Sequence, residues 1–139
     1  QKREELQYAE YGKRAVQKQV EQAAETHGKK KSAKELAGEV EDYIIQHLGD
    51  ENLSVNELGT VFFMHPVYMN RIFKKQKEIS VSQFITEERM KLALSLLKSG
   101  QISMNTVAEQ VGYKGYANFC NAFKKYFGSS PSEYLKKHE

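Results

Sequence analysis

Four cations fall within seven residues at Arg71-Ile72-Phe73-Lys74-Lys75-Gln76-Lys77. Lys and Arg at this density neutralise phosphates, and the planar fork of Arg can engage guanine O6 and N7 together. A solvated helix face is the ordinary alternative for any charge run, so the neighbouring residues decide. On a helix drawn through the segment, Val67, Asn70, Arg71 and Lys74 share the outward side, and Met69, Ile72 and Phe73 the inward one. Asn70 suits adenine N6 and N7, and Val67 suits a thymine methyl. For Arg71 a phosphate contact or an internal ion pair stays open. Other chemistry is thinly supplied. Cys120 is the single cysteine, has no His near it in sequence and reads as half-buried packing. His27, His47, His65 and His138 lack metal-ligand spacing. With no acid–base pair and no nucleophile set, no enzyme activity, metal or cofactor is expected.

These side chains need helices to hold them. Two Pro, no Trp and no alternating β-branched run point to an all-α chain. Leu36, Val40, Ile44 and Leu48 step along a first core helix, about 34–48, which Gly49 ends. Ser54-Val55-Asn56-Glu57 is a capping box that opens a second helix. Pro66 suits the first turn of a third, about 66–75. Ser80-Val81-Ser82-Gln83 opens a long connecting helix, about 81–98, with Ile85, Met90, Ala93, Leu96 and Leu97 inward. Ser103 caps a short helix of about 104–111, Gly112 ends it, and a sixth helix runs from about 116 to 127 before Gly128. Phe119, Phe123 and Phe127 recur every four residues on that helix, a core stripe rather than a stacking platform. Ser130-Pro131-Ser132-Glu133 then supplies a cap, a first-turn Pro and a third-position Glu for the last helix.

Residues 3–26 read as a separate helix. Leu6, Ala9, Lys13, Val16, Val20 and Ala23 make a thin heptad seam there, either a solvated linker or a dimerising coiled coil. His27-Gly28-Lys29-Lys30-Lys31-Ser32 breaks that pattern, so a boundary is expected near residue 33, between a helical linker (1–33) and a domain (34–139).

The chain also repeats itself. Leu53-Ser54-Val55-Asn56-Glu57-Leu58 matches Ile102-Ser103-Met104-Asn105-Thr106-Val107, 49 residues on, and Arg71-Ile72-Phe73-Lys74-Lys75 matches Asn121-Ala122-Phe123-Lys124-Lys125, 50 residues on. Each copy is a short capped helix, a tight turn with one extra residue in the second, and a longer helix ending in Phe-Lys-Lys. That is the order a helix-turn-helix requires, here about 54–75 and 103–127. A connecting helix of about 18 residues spans roughly 27 Å, near the roughly 34–36 Å between successive major-groove faces on one side of DNA.

The residues resemble the AraC/XylS-type transcription regulators over about 36–138. The resemblance lies in Leu53-Ser54-x-x-Glu57-Leu58, Pro66-x-Tyr68-x-x-Arg71-x-Phe73-Lys74-Lys75, and Val107-Ala108-x-x-Val111-Gly112-Tyr113. It continues through Phe119-x-x-x-Phe123-Lys124-Lys125-Tyr126-Phe127-Gly128 and Ser130-Pro131-x-x-Tyr134. It implies a seven-helix double helix-turn-helix domain of two subdomains joined by the long helix, with the third and sixth helices reading DNA. Val67, Asn70 and Arg71 are then the expected base readers on the third helix, and Tyr116, Ala117 and Asn121 on the sixth. Ser54, His65, Tyr68, Lys74, Lys75, Ser103, Lys114, Asn118, Lys124 and Lys125 are the expected phosphate contacts. This sequence departs from the family at Asn121, where Arg is common, and at Ala117, where a larger polar residue often sits. Glu88 stands where the family usually has an apolar residue and is expected to pair with Lys91 or Arg89.

A formal net charge of +3 does not itself argue for nucleic acid. Residues 1–35 carry nine Lys and Arg against six Asp and Glu, and residues 36–139 carry twelve of each. Binding must therefore come from local distribution, and the fragment alone is expected to bind weakly. No run of apolar residues is long enough to span a membrane, and a cytoplasmic location is expected. The chain starts at Gln1 and is expected to belong to a longer protein with an amino-terminal sensory or receiver domain. The expected partner is an operator in double-stranded DNA, with RNA polymerase and a second copy of the chain as further candidates, and activation as the expected sense of control. A helical module that binds a protein partner is the alternative. It needs exposed aromatics on the outward faces, where Tyr68 and Tyr116 are its only support.

Overall fold

The computed structural model describes residues 31–138, and every regular element among them is an α-helix. In chain order these are α1 (Ala33–Gln46), α2 (Val55–Val61), α3 (Pro66–Lys77), α4 (Val81–Ser99), α5 (Met104–Gln110), α6 (Tyr116–Phe127) and α7 (Pro131–Lys137). The helical seam expected over 3–26 lies outside the described residues. No helix of the described part is long and apolar enough to cross a membrane. Among the described residues two compact units are formed, one from residues 31–43 with Ser54–Gln83, the other from Ile44–Leu53 with residues 84–138.

In the first unit, Val40 of α1, Leu58 of α2, Met69 and Phe73 of α3, and Val81 are almost wholly buried. Caps define the ends of the short helices. Ser54 Oγ accepts the Glu57 amide at 3.1 Å. Ser80 and Gln83 make the reciprocal box: Ser80 Oγ accepts the Gln83 amide, and Gln83 Oε1 accepts the Ser80 amide, both at 3.1 Å. The turn between α2 and α3 closes when the Met64 amide donates to the Gly59 carbonyl at 2.8 Å. A Cβ on Gly59 would lie 2.5 Å from the Met64 oxygen, so no side chain fits there.

The second unit repeats this plan. Tyr113 N donates to the Ala108 carbonyl at 3.0 Å, across the same five-residue span, and the extra residue of the second turn falls between Tyr113 and the start of α6. Val107, Ala108, Val111, Phe119 and Phe123 pack with Met90, Ala93 and Leu97 of α4 in one buried cluster. The expected Phe stripe is core: ring centroids are 5.8 Å apart for Phe119–Phe123 and 4.5 Å for Phe123–Phe127.

Both copies need a left-handed residue at two matching places, inside the turn and just past the second helix. The second copy uses Gly112 (φ +88°) and Gly128 (φ +85°), and the first uses Phe63 (φ +54°) and Glu78 (φ +69°). A side chain in that region costs roughly 1–2 kcal/mol per residue.

One buried cation organises the second unit. Arg89 Nε donates to the Leu48 carbonyl at 3.2 Å, and a terminal nitrogen donates to the Asp50 carbonyl at 2.8 Å. The guanidinium carbon lies 5.4 Å from the Tyr113 ring centroid. Burial lowers the Arg89 pKa and raises that of Tyr113, while Tyr113 and Asp50 pull the Arg89 value back up. Glu88 pairs with Lys91 at 3.7 Å, one of its two expected partners. Gly112 passes over Arg89 so closely that a Cβ would sit 2.3 Å from the Leu48 oxygen and 2.7 Å from the guanidinium.

Two stability predictions follow from these bonds. Gly112→Ala combines a left-handed φ with a backbone clash, so urea denaturation should show a loss of at least about 2 kcal/mol. Asn70 Oδ1 accepts the Val81 amide at 2.9 Å, which ties α3 to the start of α4. Asn70→Ala should cost about 1–2 kcal/mol in the same assay by leaving that amide unanswered.

Candidate nucleic-acid interface

The outward side of α3 is set by burial of Met69 and Phe73 on its other side. Val67, at the second position of the helix, is 57 % exposed. Arg71 is exposed and makes no hydrogen bond or ion pair with a described residue, so the internal ion pair left open by its sequence is not made among the described residues. Lys74 and Lys75 are also exposed and unpaired among the described residues, whereas Lys77 pairs with Glu41 of α1. Tyr68 is half-buried. The α3 face therefore presents an apolar contact, a guanidinium and two ammonium groups within nine residues, the three cations unpaired among the described residues.

Two expected members of this face are employed elsewhere. Asn70 is half-buried, and its oxygen is the acceptor for Val81. A bidentate adenine contact needs that oxygen to accept from N6, so Asn70 leaves the reading set. His65 is 4 % exposed and is the N-cap of α3, its Nδ1 accepting the Val67 amide at 3.2 Å. A buried capping imidazole cannot meet a phosphate.

On α6 the outward residues Ala117, Asn118 and Asn121 are exposed, with Lys124 and Lys125 on the last turn. Asn121 makes no side-chain hydrogen bond to a described residue, whereas Asn118 Nδ2 donates to the Lys114 carbonyl at 2.6 Å and keeps its oxygen free. Tyr116, expected to read a base, is also engaged within the fold. Its hydroxyl donates to Met104 Sδ at 3.2 Å and its ring packs against the second core. Its pKa is raised, first by a hydrogen bond with Cys120 and then by burial. It serves the fold rather than a base. Cys120 is half-buried, as expected. Lys114 lies 3.8 Å from Glu51, an exposed pair that holds it weakly. Ser54 and Ser103 cap α2 and α5, Ser103 Oγ accepting the Thr106 amide at 3.2 Å.

Periodicity missed Arg89, whose carbonyl partners lie 41 and 39 residues away. It also missed Phe63, which is 67 % exposed in the α2–α3 turn. The repeat held the signal for the second, because Phe63 stands where the other copy has Gly112.

Residues 58–137 match the family described as a helix-turn-helix domain. The chain is 31 % identical over 106 residues to the Msm operon regulatory protein of Streptococcus mutans, an alignment covering 76 % of this chain and 38 % of that protein. It is similar to the C-terminal domain of AraT, a response regulator from Geobacillus stearothermophilus, with a TM-score of 0.71 and 31 % identity, covering 73 % of this chain and 84 % of that one. The DNA-binding domain of the global transcriptional factor AdpA, solved in complex with a target DNA, shares the fold at a TM-score of 0.67 and 24 % identity, covering 73 % and 91 % of the two chains. The chain thus spans well under two thirds of the Msm regulator but most of the two isolated domains. On these matches the chain belongs to the AraC-type helix-turn-helix family of transcription regulators.

Proposed function

We propose that this chain binds operator DNA sequence-specifically in the major groove, with α3 and α6 as reading helices, and so controls transcription initiation. The observation that supports this best is Arg71, exposed and unbonded among the described residues, with Lys74 and Lys75 beside it. A free guanidinium on an outward helix face suits guanine, and the flanking ammonium groups suit the phosphates that fix register. Val67 meets a thymine methyl. On α6, Ala117 and Asn121 face the bases and Lys124 and Lys125 the backbone. Tyr68, Lys114, Asn118 and the hydroxyls of Ser54 and Ser103 complete the phosphate set. The second unit positions more than it reads, because Asn121 lacks the charge and reach of Arg.

The whole regulator's behaviour is also a proposal. It acts in the cytoplasm, coupled to an amino-terminal sensory or receiver domain of the same protein. Pairing of two chains through 3–26 supplies the affinity that balanced charge denies one chain, and RNA polymerase is the partner in activation.

The test is titration of duplexes selected from a random pool by the wild-type chain. Arg71→Ala should cost about 1–3 kcal/mol of affinity and relax preference at one base pair. Lys75→Ala should weaken all duplexes evenly and reduce the salt slope by about one. An Arg71→Ala variant with wild-type affinity and preference would remove α3 as the reader.

A further inference from the structure

We propose that Phe63 is a specificity-determining DNA contact, recognising thymine methyl groups that flank the bases met by α3. This rests on the reading role of α3 proposed above and adds a residue that lies outside the helix.

Three features meet at this side chain. Phe63 is 67 % exposed, so its ring returns little burial to the fold. Its φ of +54° is left-handed, at the place where the second copy has Gly112 at +88°. Stability alone would favour glycine there, and strain of this kind persists chiefly where a side chain serves a ligand. The surroundings define the ligand. Val61 and Val67, on either side in sequence, are 37 % and 57 % exposed. From Ser54 to Pro66 the one formally charged residue is Glu57, so the turn has no cation to offer a phosphate. The major groove presents one apolar group, the 5-methyl of thymine. Phe63 lies two residues before the N-cap of α3, and the amino-terminal turn of a reading helix is the part that approaches base edges. A protein partner is the competing occupant. Phe63 in the turn and Val67 at the start of the reading helix are both exposed and apolar, and this pairing with the reading helix favours DNA.

The experiment compares each selected duplex with versions carrying deoxyuridine in place of single thymines. Wild type should lose about fourfold in affinity for each contacted methyl removed. Phe63→Gly should melt several degrees higher, because strain is relieved, yet lose discrimination at one or more of those thymines. Phe63→Asn, which tolerates the same φ, should lose it too. Glu78→Gly relieves comparable strain away from the turn and should keep the full thymine preference. A Phe63→Gly variant with wild-type affinity and wild-type thymine preference would overturn the proposal, as would a loss equal on thymine and deoxyuridine duplexes. Arg71→Ala, run alongside, separates the two readings. If it alone relaxes specificity, Phe63 is no reader; if neither variant changes binding, α3 is no reader.

Discussion

Everything that presents a side chain outward in this molecule depends on how tightly two helices are joined. In each copy the chain must leave a helix, reverse and start another within four or five residues. One backbone bond closes the reversal, Met64 to Gly59 in the first copy and Tyr113 to Ala108 in the second. A left-handed residue is needed just before the donor in both. The bond and the torsion together fix where α3 and α6 begin. The two copies satisfy one constraint by different means. The first removes the side chain at Gly59 and tolerates Phe63 in the strained place, whereas the second keeps Ala108 and relaxes the strain with Gly112.

The buried polar groups divide in a similar way. Arg89 is held by carbonyls and an aromatic face instead of a carboxylate, so its charge is spent on the loop that follows α1. Any long-range pull on phosphate must come from ammonium and guanidinium groups at the surface. Among twelve anions and twelve cations in residues 36–139, what matters is which cations lack partners. Arg71, Lys74, Lys75, Lys124 and Lys125 lack them among the described residues. Lys77 is neutralised by Glu41.

Much of this was legible in the sequence, because helix caps and four-residue apolar steps are local. The start of α6 at Tyr116 and its end at Phe127 fell where expected, and α3 ran on to Lys77. Helix α1 stopped at Gln46, short of the expected 48, where the chain enters a turn. Local pattern also separated Met69 and Phe73 from Arg71 correctly. It failed for Asn70, His65 and Tyr116, and the reason is common to all three. Periodicity gives a direction around the helix axis, but a polar side chain at the margin turns toward whatever hydrogen-bonding group is near. For Asn70 that group is 11 residues on, and for Tyr116 it is 12 residues back. His65 sits in a turn, where helical periodicity assigns no face. Arg89 was illegible for the same reason at greater range.

The division of labour on α3 and α6 has an engineering consequence. The side chains of Val67, Arg71, Ala117 and Asn121 are exposed and owe no hydrogen bond to any described residue, while their neighbours Asn70 and Tyr116 are bound into the scaffold. Those four positions behave as movable type in a fixed frame. A library randomised there and nowhere else would be rich in folded members, so retargeting such a domain to a new sequence becomes a search over recognition alone, decoupled from a search for stability.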